Sequence, residues 1–140
     1  MKLLLIGSTI AAALTYSVVA QTAPKTYATA AEQIEAGKKL YVSNCASCHG
    51  DAGPGGKDTP AVVGKDAFPL EPRKGQKRTA KFHTAADVFA YASKEMPKKK
   101  PGSLTTDEYL AIFAFDLTAN GVKLDKPLDG PAAAKIVLHP

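Results

Sequence analysis

The sequence predicts an all-α fold. Three observations carry that expectation. Three segments place apolar residues at helical spacing, and each opens on a residue pair spaced as an N-terminal cap. No run alternates long enough to form a half-buried strand. The two cysteines of the 140-residue chain stand three apart and are followed at once by a histidine, so one helical turn would present all three side chains together.

Length suits one domain. Apolar residues make up 45% and charged residues 22%, as in ordinary globular proteins. Tryptophan is absent, and five Phe and five Tyr give a thin aromatic core. A large flat cofactor packed inside would supply the missing apolar surface. There are no internal repeats.

Residues 1–20 read as an export signal. Met1-Lys2 is a minimal positive start, and Leu3 to Ala20 carries no charge. Val18-Val19-Ala20 before polar Gln21-Thr22 suits cleavage after Ala20. The competing reading is an uncleaved anchor. The run contains Gly7, Ser8, Thr9, Thr15 and Ser17 and is just short of the roughly 20 apolar residues a spanning helix needs. Residues 21–29 read as a linker.

The first helix is expected from Thr29 or Ala30 to Ser43, with Ile34, Leu40 and Tyr41 on one stripe. Thr29 and Glu32 are spaced as a capping box. Gly37 costs about 1 kcal/mol against Ala inside a helix, which close approach of another helix would explain. A second helix is expected from Thr84, with Asp87 three residues on, through Val88, Phe89 and Ala92 to Glu95. The last begins at Thr105, with Glu108 three residues later. It runs through Tyr109, Ile112, Phe113 and Leu117 and stops near Asn120-Gly121. Gly50 to Gly56 and Phe68 to Arg78 read as loops. Residues 122–140, with three prolines and no periodicity, read as an irregular tail.

Cys45-Ala46-Ser47-Cys48-His49 carries the chemistry. C-x-x-C-H is the attachment string of a c-type haem. Cys45 and Cys48 can bond the two vinyl groups, and His49 on the same face can reach the iron. A redox disulfide would need a βαβ pattern around it, and a zinc site would need four ligands; neither is present in the sequence. The iron's second axial ligand is then sought elsewhere. Met96 precedes Pro97, and proline disfavours helix at the residue before it, so Met96 would leave the second helix extended, its thioether free to turn to the iron. His83, just before the Thr84 cap, is the rival ligand. His139 lies next to the C-terminus in the tail.

From Ala30 to Gly121 the order of helix, C-x-x-C-H, loop, helix, Met-Pro and final helix resembles a class I cytochrome c. The resemblance implies a cytochrome c domain over residues 30–121, with three core helices and long loops wrapped around one covalent haem c. It implies a close crossing of the first and last helices, at Gly37 and Phe115, with Tyr109 the alternative aromatic. It implies that a proline carbonyl, from Pro60 or else Pro54, bonds the other nitrogen of His49, and that an arginine, Arg78 among those present, contacts a haem propionate. The stretch from Met96 to Tyr109 further resembles monohaem cytochromes that serve sulfite, sulfur-compound and quinoprotein alcohol dehydrogenases. It departs from them in its lysine run and in lacking tryptophan.

His/Met ligation favours reduced iron and closes both axial positions to substrate. The function expected is single-electron transfer between periplasmic redox proteins, from a dehydrogenase to a terminal oxidase or another cytochrome, by a carrier rather than an enzyme. The alternative is a haem enzyme or sensor with an open sixth position. A catalytic haem ligated by cysteine is excluded, because both cysteines are used in attachment. The formal charge of +5 concentrates in Lys98-Lys99-Lys100 and in Arg73, Lys74, Lys77, Arg78 and Lys81. Export and the lack of a recognition motif exclude nucleic acid. Lys98, Lys99 and Lys100, beside Met96, are expected to dock an acidic partner.

Overall fold

A computed structural model of the protein describes residues 25–76 and 78–139. Among the described residues five helices follow one another: α1 (Ala30–Asn44), α2 (Ala46–His49), α3 (Ala85–Glu95), α4 (Thr106–Ala119) and α5 (Gly130–Lys135). Among the described residues there is no strand, only one isolated antiparallel bridge between Thr84 and Val137. No helix there is long and apolar enough to cross a membrane. The proposed export signal lies outside the described residues.

Caps begin the three longer helices where the sequence places them. Thr84 with Asp87 and Thr105 with Glu108 form reciprocal capping boxes. At α1 the reciprocity is offset. Thr29 Oγ1 accepts from the Glu32 N–H at 3.2 Å, but the Glu32 carboxylate accepts from Ala28 rather than from Thr29 itself.

The helix crossing sets the architecture. α1 buries Ala30, Gln33, Gly37 and Tyr41, a spacing of three and four that makes one face. A Cβ at Gly37 would stand 1.8 Å from the carbonyl oxygen of Ala111, so α1 and α4 touch backbone to backbone. The glycine and the aromatic that the resemblance places on the two helices both take part in this contact, at different points. Phe115 lies one turn farther along α4 and packs on Tyr41, ring centroids 5.4 Å apart. Tyr109 is engaged elsewhere. α4 is buried almost all round, from Tyr109 to Ala114 and at Asp116 and Leu117, as befits a central helix.

The main core lies on the other side of α4, where Phe68, Phe82, Val88, Phe113, Leu117 and Leu128 meet. Phe68 holds a left-handed backbone with φ of 48°, rare for a bulky residue. It is kept there by its N–H bond to Ala61, its stacking on Phe113 and its carbonyl, which lies 2.8 Å from His139 Nε2.

Residues 122–139 correct the reading of an irregular tail. Leu128 and Ala133 are buried in the main core, and α5 starts on Asp129, whose side chain accepts from Ala132. The amide of Gln33, itself buried, donates to Leu128 O at 3.0 Å and accepts from Leu128 N at 2.6 Å. The Leu138 N–H donates to His83 O at 2.8 Å. The sequence reading missed this because the segment buries few residues and gains its bonds from partners far away in the chain. Nor are residues 25–29 a free linker, since Lys25 N donates to the Asp107 carboxylate at 2.9 Å.

Candidate functional site: the Cys45–His49 turn and the Met96 loop

Cys45 ends α1 and begins α2. Its N–H donates to Tyr41 O at 2.8 Å, and its carbonyl accepts from Cys48 and His49 at 3.1 and 3.0 Å. One tight turn therefore carries both thiols and the imidazole. The cysteines are not joined in a disulfide; Cys45 is half-buried and Cys48 exposed. Burial, then the nearby Asp116 and Cys48, push the Cys45 thiol up to about 12.

The glycine-rich loop turns the chain back onto this helix. Gly55 donates to His49 O, Gly56 to Thr59 O, and Val62 to Gly53 O, each at 2.8 Å. Gly55 has φ of 69°, and a Cβ there would meet Thr59 O at 2.5 Å, so no larger residue closes the loop this tightly. The closure puts Pro60 O 2.9 Å from His49 Nδ1. A carbonyl only accepts, so Nδ1 carries the proton and Nε2 keeps its lone pair. Pro54, the alternative, is exposed.

Met96 is the C-cap of α3, extended at φ −118° and ψ 156°, as expected of a residue before proline. Its N–H donates to Ala92 O at 3.0 Å, and its carbonyl accepts from Gly102 N at 3.2 Å and from the Tyr109 hydroxyl. His49 is depressed below the ordinary imidazole range by burial and also by the Lys98 ammonium, against the opposing Pro60 bond. His83, the rival, is exposed at the head of α3.

Lys98, Lys99 and Lys100 are exposed on a turn closed by Lys100 N to Pro97 O at 2.8 Å. They join no ion pair among the described residues. Two members of the other basic run, Arg78 and Lys81, are engaged within the fold. Arg78 is buried and stacked 3.7 Å over the Phe82 ring, and it donates to the carbonyls of Pro69, Leu70 and Ala80. Lys81 pairs with Glu71 at 2.6 Å. Two further residues escaped the sequence reading of the site. Tyr109 holds the Met96 loop, and Asp116 is buried beside Tyr41 and Cys45. Both look in the sequence like ordinary positions of an amphipathic helix.

An all-α fold with crossed first and last long helices, and a C-x-x-C-H turn whose histidine is aimed by a carbonyl, defines the class of c-type cytochromes. A family model described as cytochrome c oxidase, cbb3-type, subunit III matches residues 32–115, more than half of the sequence, and the chain belongs to this family of class I c-type cytochromes. The solved structure of the sulfane dehydrogenase SoxCD from Paracoccus pantotrophus is similar, with 31% identity and a TM-score of 0.57. The likeness covers 75% of this chain and 52% of that one, so the chain spans about half the length of that relative. No curated protein sequence matches. A c-type cytochrome domain implies electron transfer by haem.

Proposed function

We propose that this chain is an exported electron carrier holding one haem c through thioether bonds from Cys45 and Cys48, with His49 and Met96 as axial ligands. The observation that carries the reading is the 2.9 Å approach of Pro60 O to His49 Nδ1. It fixes the tautomer and turns Nε2 outward as a ligand, the second-shell arrangement that metal-binding histidines use. The residues fit the group in other respects. Two unpaired thiols rise from one turn. Leu40, Val62, Leu104 and Phe115 pack round Tyr41 and Ala46 as a half-buried apolar wall. Bound there, the haem supplies a one-electron iron couple, and His/Met ligation sets it toward positive potential.

The chain's own residues do the rest. Pro60 orients the imidazole. Tyr109 and Gly102 hold the backbone of Met96. The rigid α1–α4 crossing limits rearrangement between oxidation states. Lys98, Lys99 and Lys100 offer a docking face for an acidic redox protein, such as a periplasmic dehydrogenase on the donor side and a terminal oxidase or another cytochrome on the acceptor side. The likeness to a sulfane dehydrogenase structure supports sulfur-compound oxidation as the setting.

Absorption spectra of the exported protein test this. Reduced c-type bands, together with the weak far-red band of thioether-ligated ferric haem, are the expected result. Met96→Ala should abolish the far-red band and open the iron to carbon monoxide. A wild-type spectrum unchanged by that substitution would remove Met96 as a ligand.

A further inference from the structure

Among the described residues Asp116 is the one buried acid, and the electron-transfer reading does not use its placement. It is 4% exposed and sits on α4 next to Phe115, whose ring packs on Tyr41 of α1. Its Oδ1 is buried with no hydrogen-bond partner. Buried polar atoms are almost always partnered, and an uncompensated buried carboxylate is costly enough that the group usually takes up a proton instead.

The groups facing it offer no relief. From α1, Tyr41 lies close enough to feel its charge, but the Tyr41 hydroxyl is already spent on Gly50 O at 2.8 Å. From the α1–α2 junction, Cys45 also feels it. Once joined to haem, that sulfur no longer titrates. On α4 itself, Asn120 Nδ2 donates to the Asp116 carbonyl and to Val62 O rather than to the carboxyl. Asp51 bears on Tyr41 from the following loop. Burial alone holds the carboxyl well above its ordinary range, and no cation among the described residues offsets it.

We infer that Asp116 is the proton partner of the redox centre, taking up one proton from solvent when the centre accepts one electron and releasing it on oxidation. The inference rests on the proposed haem attachment at Cys45, which packs with Phe115, the chain neighbour of Asp116, against the cluster of Tyr41, Ala46 and Ile112. The step balances without a further reactant: the electron comes from the donor protein, the proton from water, and the O–H bond forms at a carboxylate oxygen of Asp116. The physical reason is elementary. Losing a positive charge nearby makes a buried anion less favourable, so reduction and protonation stabilise each other, and each must shift the other by the same free energy.

The test is a redox titration of the haem-loaded protein from mildly acidic to mildly alkaline pH. The wild-type potential should fall as pH rises through a window, and Asp116→Asn should flatten that window while keeping the c-type spectrum. Reduced-minus-oxidised infrared spectra should show a protonated-carboxyl band gained on reduction and lost in the same variant. Asp116→Leu gives a second variant that fills the site with an apolar group. A pH slope that persists in both variants, or a wild-type infrared difference without that band, overturns the inference. Absence of c-type bands altogether would instead overturn the haem reading on which it stands.

Discussion

His49 owes its direction to Pro60, and Met96 owes its place to Tyr109. The two cases differ in how they could be read. C-x-x-C-H is a contiguous string, so the sequence carries Cys45, Cys48 and His49 directly, and the resemblance to class I cytochromes singles out Pro60. No string joins Tyr109 to Met96. The bond exists because α4 passes beneath the loop, and that is a tertiary fact. It carries a prediction. Tyr109→Phe keeps the packed ring but removes the hydroxyl that donates to Met96 O. A net hydrogen bond of this kind contributes about 1 kcal/mol. With Met96 as the proposed ligand, added imidazole should therefore displace its thioether roughly fivefold more easily, read from loss of the far-red band, while global stability falls by no more than about the same 1 kcal/mol. Equal imidazole affinity in both proteins would show that the hydroxyl does not hold the loop.

Helices were legible at their beginnings, because Thr29, Thr84 and Thr105 announce themselves by chemistry within one turn. What each helix buries was less so. The apolar stripe of α1 suggests Ile34 and Leu40, yet its fully buried positions include Gln33 and Gly37. A glutamine in the core makes sense only once Leu128 is known to lie against it. Gly37 did signal a close crossing, and the partner it meets is the Ala111 backbone. Gly37→Ala should thus cost about 3 kcal/mol, the upper part of the range for overpacking, because backbone cannot yield as a side chain can. Denaturant unfolding would measure it, and a loss well under 1 kcal/mol would mean that the helices slide apart freely. At α3 the expectation concerns acid. The N–H and hydroxyl of Thr84 hold the Asp87 carboxyl below its ordinary value of 3.8. Its stabilisation is complete above that value and is lost as pH falls through the depressed one. Asp87→Ala should therefore be less stable than wild type at neutral pH, and the two should converge in strong acid. A gap that stayed constant with pH would assign the effect to packing.

The whole molecule gives different environments to two basic runs that look alike in the sequence. Arg78 and Lys81 lie in the second basic run, yet one is buried under Phe82 and the other is neutralised by Glu71. The run after Met96 is different, because proline-bounded turns keep Lys98, Lys99 and Lys100 in solvent beside the proposed redox centre. Charge counted along the sequence cannot tell these apart; burial and pairing decide it. If the triad forms the docking field, it should act on any charged reactant that approaches there. Changing the three lysines to glutamine should slow oxidation of the reduced protein by anionic ferricyanide roughly tenfold at low salt. It should speed oxidation by a cationic cobalt phenanthroline complex, and both effects should fade as salt screens the field. The unequal response to the two oxidants is the decisive reading. A change in potential would alter both rates in the same direction, whereas a lost positive field must alter them in opposite directions. Rates that move together, or that ignore salt, would place the electron's exit away from Lys98, Lys99 and Lys100.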